Sequence, residues 1–168
     1  MINSKNNIID FGSRKDGQDW MIVNDDVMGG LSNSTMALTE NSLIFRGELS
    51  FKNNGGFASI RSSDQNFDLS IYKTIHIKFR SNDRDFAFRL ASSKVDSRIN
   101  YKHYFSSETT DWEIMELKMN DFQQYNRGQI TKTEVDVSKL NNIIRVGVMI
   151  SDKKEGLFEI EIDTIEFK

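Results

Sequence analysis

The sequence predicts an all-β fold, a sandwich or jelly roll, on three observations. Apolar residues recur at every second position through a series of short segments. No stretch sustains a helical period. Gly, Asn, Asp and Ser gather between the segments, and with no proline anywhere in the chain they carry the turns. About eight to ten short strands at close spacing favour a sandwich or jelly roll over an α/β fold.

Taken in order, Ile8-Ile9-Asp10-Phe11 reads as a short first strand, and Gly12 to Asp19 as a loop. Trp20 to Val23 enters the core. Asn24 to Ser34 is an irregular connection, and Met36 to Leu38 pairs weakly with the next element. Leu43 to Phe51 alternates most clearly: Leu43, Phe45, Gly47, Leu49 and Phe51 face one way, and Ile44, Arg46, Glu48 and Ser50 the other. Asn53-Asn54-Gly55-Gly56 then reads as a turn into a second strand, Gly56 to Ser62, so the two segments are expected to form a hairpin. Thr74 to Arg80 places Ile75, Ile77 and Phe79 inward, with His76, Lys78 and Arg80 outward. Ser81 to Arg84 is a turn, and Asp85 to Leu90 sets Phe86, Phe88 and Leu90 against Ala87 and Arg89.

Ile99 to Phe105 is an aromatic strand with Tyr101, His103 and Phe105 on one side and Lys102 and Tyr104 on the other. Trp112 to Met119 is a further strand with a change of face near Met115, and Asp121-Phe122 opens a short turn. Gln123 to Val137, polar and holding Arg127-Gly128, reads as the longest irregular connection. Leu140 to Ile150 suits a central strand covered on both sides. In the last segment Phe158, Ile160 and Ile162 alternate with acids, then the apolar parity moves to Ile165 and Phe167. A bulge near Asp163-Thr164 accounts for the shift.

A chain of 168 residues suits one domain spanning 1–168, and a domain of this size buries about 70% of its unfolded surface. With no cysteine, disulfides and thiolate metal sites are excluded. A net charge of −3 with mixed signs argues against sequence-independent nucleic-acid binding. The N-terminal residues show no signal-peptide or transit-peptide pattern, and no apolar run reaches the roughly 18 residues of a membrane span. The expectation is a cytoplasmic, bacterial protein.

Two glycine-paired stretches stand out: Trp20 to Ser32, W-M-I-V-N-D-D-V-M-G-G-L-S, and Phe45 to Arg61, F-R-G-E-L-S-F-K-N-N-G-G-F-A-S-I-R. Together with G-V-M-I-S-D-K-K-E-G-L-F-E-I-E-I-D-T-I near the C-terminus, they resemble the complex I intermediate-associated protein 30 family over roughly Phe11 to Phe167. The resemblance implies a galactose-binding-domain-like jelly-roll β-sandwich of antiparallel strands. It also implies a non-catalytic, assembly-factor-like role with a protein partner, best known for respiratory complex I in mitochondria, and gives no metal or cofactor. Gly29, Gly30, Asn53, Asn54, Gly55 and Gly56 are read as structural loop residues, the two loops lying against each other or against a neighbouring strand.

Asn24, Asp25 and Asp26 beside Gly29-Gly30 suggest oxygen ligands for calcium. The competing and favoured reading is that Asp25 or Asp26 caps the loop through backbone N–H groups. Arg61, Arg80 and Arg89, if they converge with Tyr104 and Trp112 on one concave sheet face, would make a pocket for a sugar or an anion. The plainer reading leaves the arginines in solvent and Trp112 in the core. Met28 and Leu31 either form an apolar patch for a protein partner or plug one end of the sandwich, and burial is the expectation. His76 and His103, the only histidines, have no nucleophile and acid placed beside them by the sequence. Three functions result: a partner-binding protein, a carbohydrate-binding module of jelly-roll type as the alternative, and last an enzyme using Asp25, Asp26 and Glu48.

Overall fold

Every strand pair in the computed structural model, which describes residues 7–92 and 99–168, is antiparallel. One sheet holds β1 (Ile8–Asp10), β3 (Asn33–Leu38), β4 (Leu43–Leu49), β6 (Thr74–Ser81), β9 (Glu113–Lys118) and β13 (Gly156–Phe167). Its order is β3-β4-β13-β6-β9, with β1 also on β13. The other holds β2 (Met21–Asn24), β5 (Ala58–Arg61), β7 (Phe86–Ser92), β8 (Ile99–Phe105), β10 (Gln123–Asn126), β11 (Gln129–Lys132) and β12 (Ile143–Ile150). Its order is β11-β10-β8-β7-β12-β5-β2.

The alternation read from the sequence becomes the core between these layers. Leu43, Phe45, Ile75, Ile77, Phe79, Phe158, Ile160 and Ile162 from the six-stranded sheet are buried, as are Ile60, Phe86, Phe88, Leu90, Val146, Val148 and Ile150 from the other. Phe79 meets Phe105 of the opposite sheet edge-on, with ring centroids 5.1 Å apart, a geometry that aligns ring edge with ring face. In β13 the pairing with β6 slips between Ile162 and Thr164. That bulge turns Ile165 and Phe167 back into the core, and lets the strand pair with β4 over its first half and with β1 over its second.

Four expectations are corrected. Leu43–Leu49 and Ala58–Arg61 do not form a hairpin: β4 pairs with β3 and β13, whereas β5 lies in the other sheet between β12 and β2. The connection crosses from one layer to the other through a 3-10 turn at Lys52–Asn54, where Asn53 and Asn54 have φ of 54° and 58°. Phe51 consequently leaves the alternation and is exposed. The polar stretch after Phe122 is not irregular throughout, because β10 and β11 form a hairpin across Arg127-Gly128, both at positive φ (51° and 82°), the backbone of a type I′ turn. Trp112 precedes β9 and is 37% exposed rather than core. β12 is central, but only one of its faces is core: Val146, Val148 and Ile150 point inward, while Arg145 and Met149 are half-buried on the other side.

Candidate binding site

The outer face of the seven-stranded sheet carries a row of cations set by strand register. Arg61 on β5 lies opposite Gly147 on β12, Gly147 opposite Arg89 on β7, and Arg89 opposite Lys102 on β8. One step along, Arg145, Ala91 and Asn100 form the neighbouring row. A small pocket of about 10 Å³, space for about one water, lies at their centre, lined by Ser59, Arg61, Arg89, Ala91, Arg145 and Met149 around Gly147. Gly147 leaves its floor without a side chain; a Cβ there would lie 2.4 Å from the Ile60 carbonyl oxygen.

Electrostatically this face is only partly compensated among the described residues. Among the described residues Arg145 has an acidic partner, Asp64 at 3.3 Å, and none is recorded for Arg61, Arg89 or Lys102. Among the described residues the buried Nε atoms of Arg61, Arg89 and Arg145 find no hydrogen-bond acceptor, and the buried Asn100 Oδ1 no donor. Lys102, only 8% exposed, sets its ammonium 4.5 Å from the centre of the Tyr125 ring, a cation–π contact. Burial, followed by the charges of Arg61 and Arg145, pushes Arg89 down to about 10. Burial, followed by Arg89 and Arg61, pushes Lys102 down to about 8. Arg61 is lowered by burial and then by Arg145. Tyr104 stands exposed on the same side of β8 as Lys102. Burial and a hydrogen bond with Tyr104 push the Tyr125 hydroxyl up to about 12.

A second construction lies where the two glycine-paired loops meet. Asn24 ends β2, and a 3-10 turn, Asp25–Met28, comes next. The buried Asp25 carboxylate accepts from the Ser32 N–H (3.0 Å) and hydroxyl, and from the N–H groups of Gly56 (2.6 Å) and Phe57 (3.3 Å). Burial pushes this carboxyl up, but the bonds from Ser32, Gly56 and Phe57 outweigh it and hold the pKa below 3.8. The glycines make room for it: a Cβ on Gly30 or Gly55 would come within 2.5 Å of the carboxylate. Gly29 closes the turn at φ 85°. Thus the two loops pack on each other through one side chain. Asp25 is buried and Asp26 exposed, so the two carboxylates share no surface. Asn24 accepts from the Ser34 hydroxyl at 2.8 Å.

The remaining sequence candidates separate. Arg61, Arg89 and Tyr104 come together on the seven-stranded sheet. Arg80 and Trp112 lie on the other: Arg80 pairs with Glu161 at 2.7 Å and sits 5.0 Å from the centre of the Trp112 ring. Leu31 is exposed at 55%, against the expectation of burial; the Met28 side chain lies outside the described residues. Glu48 lies on β4 opposite Asn33 and Leu157. His76 pairs with Glu116 at 3.4 Å, and His103 packs against Phe122 with ring centroids 5.3 Å apart. Lys102, Arg145, Gly147 and Asn100 were missed as site residues. The available signal was parity: Lys102 alternates with apolar neighbours in an aromatic strand, and Arg145 and Gly147 share the non-core side of a central one. Arg84 was missed altogether. It is buried, donates to Asp152 at 2.6 Å and 2.7 Å and to the carbonyls of Gly156 and Leu157, and ties the β6–β7 turn to the β12–β13 turn.

Two antiparallel sheets, closed over one core and presenting a sunken polar face, define a jelly-roll β-sandwich of galactose-binding-like type. The chain belongs to the complex I intermediate-associated protein 30 family, whose pattern matches residues 9–162. Its fold is similar to that of the family 11 carbohydrate-binding module of a cellulosomal cellulase of Clostridium thermocellum, at 14% identity and TM-score 0.67, covering 96% of this chain and 95% of that one. It is similar also to a family 11 module from Clostridium thermocellum in complex with a β-1,3-1,4-mixed-linked tetrasaccharide, at 15% identity and TM-score 0.68, covering 95% and 94%. An exo-β-agarase shares the fold at 9% identity and TM-score 0.58, with 96% of this chain covering 25% of that one. At these identities the likeness concerns the fold. No helix among the described residues is long and apolar enough to cross a membrane.

Proposed function

We propose that this chain is a non-catalytic binding protein that takes a saccharide on the outer face of its seven-stranded sheet. The observation that carries the reading is the pocket around Gly147, where the buried Nε donors of Arg61, Arg89 and Arg145, with the buried Asn100 Oδ1 in the neighbouring row, have no hydrogen-bond partner among the described residues. Buried polar groups are ordinarily satisfied, so orphaned ones around an opening mark a place where a ligand completes the hydrogen bonding. A saccharide offers both donors and acceptors, and exposed Tyr104 supplies an aromatic surface beside them. Similarity in fold to a carbohydrate-binding module in complex with a tetrasaccharide supports a saccharide as the ligand. Isothermal titration against a panel of oligosaccharides tests it: binding that is weakened by Tyr104→Ala and Arg61→Gln is expected, and an absence of heat for every sugar would remove the proposal.

A second reading, a protein partner of the kind the family's name describes, is favoured by a different observation. Val27, Leu31 and Phe51, exposed at 69%, 55% and 43%, sit on the two loops that Asp25 ties together. Apolar side chains held on a rigid loop pair are suited to a partner surface. Pull-down with the wild-type chain and with a Leu31→Asp, Phe51→Asp double variant separates the two, since those changes leave the sheet face untouched.

A further inference from the structure

We infer that the saccharide bound at the Gly147 pocket is an acidic one, carrying a carboxylate or a sulfate between Arg61, Arg89 and Lys102. The inference rests on the reading that this face binds sugar, and it specifies the ligand's charge. Arg89 and Lys102 lie directly opposite each other across β7 and β8, and Arg61 is one strand beyond Gly147. Like charges directly opposite on a sheet destabilise it. Here no carboxylate of the described residues is recorded between them, and Lys102, 8% exposed, sets its ammonium against the Tyr125 ring. An arginine in bulk solvent needs no partner; these have their Nε atoms buried. The guanidinium forks of Arg61 and Arg89 over a floor without a side chain, with the Lys102 ammonium across the next strand gap, form the complement of an oxyanion, which accepts charge-assisted bonds from such donors. A bare anion would leave the Asn100 acceptor unsatisfied. A hydroxyl beside the anionic group, as on an acidic sugar, would fill it. The confined row and the chain's net charge of −3 likewise disfavour a nucleic-acid strand.

The test is calorimetric titration of the full chain with four probes: an oligogalacturonate, a neutral mixed-linked β-glucan tetrasaccharide, inorganic phosphate and a short single-stranded oligonucleotide. The expected result is binding of the oligogalacturonate that weakens with added salt. It should weaken by roughly ten-fold or more in Arg89→Gln and in Lys102→Gln, and be unchanged in Arg80→Gln on the opposite sheet. Thermal melts confirm that each variant is folded. Equal binding of the neutral tetrasaccharide, insensitive to Arg89→Gln, would overturn the acidic assignment while leaving the sugar-binding reading intact. Phosphate or the oligonucleotide binding as tightly as the oligogalacturonate would overturn it in favour of a bare anion or a nucleic acid. Silence of the oligogalacturonate would overturn the acidic assignment, and silence of every sugar in the oligosaccharide panel would overturn the sugar-binding reading with it.

Discussion

On the outer face of the six-stranded sheet Arg46 lies opposite Glu159, Arg80 opposite Glu161 and His76 opposite Glu116, while Lys78 reaches Asp163 at 2.9 Å beside the bulge. On the outer face of the seven-stranded sheet Arg89 lies opposite Lys102, and Arg61 opposite a glycine. Both faces are built from the same alternation, and they differ in what stands across the strand gap. Cross-strand pairs of opposite sign each add at most about 1 kcal/mol, and like pairs subtract a similar amount. On the first face Arg46, Lys78 and Arg80 each have a carboxylate partner. The second carries an uncompensated cost that a bound anion would offset, because a ligand that binds the folded state stabilises it. The pattern of charges across register thus separates a face whose cations are paired from the face proposed to take a ligand.

The largest effect is expected where the two layers are tied. Asp25→Ala leaves the N–H groups of Ser32, Gly56 and Phe57 without their acceptor in a buried site. A loss of about 3 kcal/mol or more is expected in chemical denaturation, and both faces should lose definition together. Because the folded pKa of Asp25 is depressed below 3.8, its contribution is complete above that pH and disappears as pH falls through the lower folded value. Gly147→Ala comes next. Its Cβ would press on the Ile60 carbonyl oxygen, so β5 must move, and about 1–3 kcal/mol should be lost along with the pocket floor. A melting temperature equal to wild type would show that the floor is not close-packed.

Lys102→Met sharpens the comparison by reversing the usual sign: removing a cation should stabilise the ligand-free chain by up to about 1 kcal/mol, whereas Arg80→Gln on the paired face should cost about 1 kcal/mol or less. If both substitutions destabilise, the two faces are not different in kind. The pH dependence runs in the same direction. Lys102 gives up its proton near pH 8 when folded but only near 10.5 when unfolded. Between those values the unfolded chain holds more protons, so stability without ligand rises with pH across the window, and the cost is fully present below it. Lys102→Met should flatten that rise. Arg89, pushed down to about 10, adds to the rise at the upper end of the window, whereas Tyr125, pushed up to about 12, stays neutral.

Much of the fold was legible because period-two alternation is a local signal. The parity shift after Ile162 announced the bulge in β13, and Phe79, Phe86 and Phe88 were placed inward from spacing alone. The expected β4–β5 hairpin shows the limit. Alternation in Leu43–Leu49 and in Ala58–Arg61 says which side faces a core, and two facing sheets present the same core to both strands. The Arg127-Gly128 hairpin was missed because its strands lie at a sheet edge, where exposed Gln129, Ile130, Thr131 and Lys132 show no alternation in burial.

The candidate site divides the same way. Residue type and parity were enough to single out Arg61, Arg89 and Tyr104, and the glycine pairs announced that something close-packed lay at the loops. Which arginines share a sheet, that Lys102 and Arg145 join them while Arg80 and Trp112 go elsewhere, and that Asp25 is the object the glycines enclose were decided by tertiary structure. The amino-acid sequence by itself determined the sandwich and the inward half of each strand, since burial imposes its period on neighbouring residues. It left open which strand lies beside which, because pairing partners are distant in the chain and a local pattern carries no record of them.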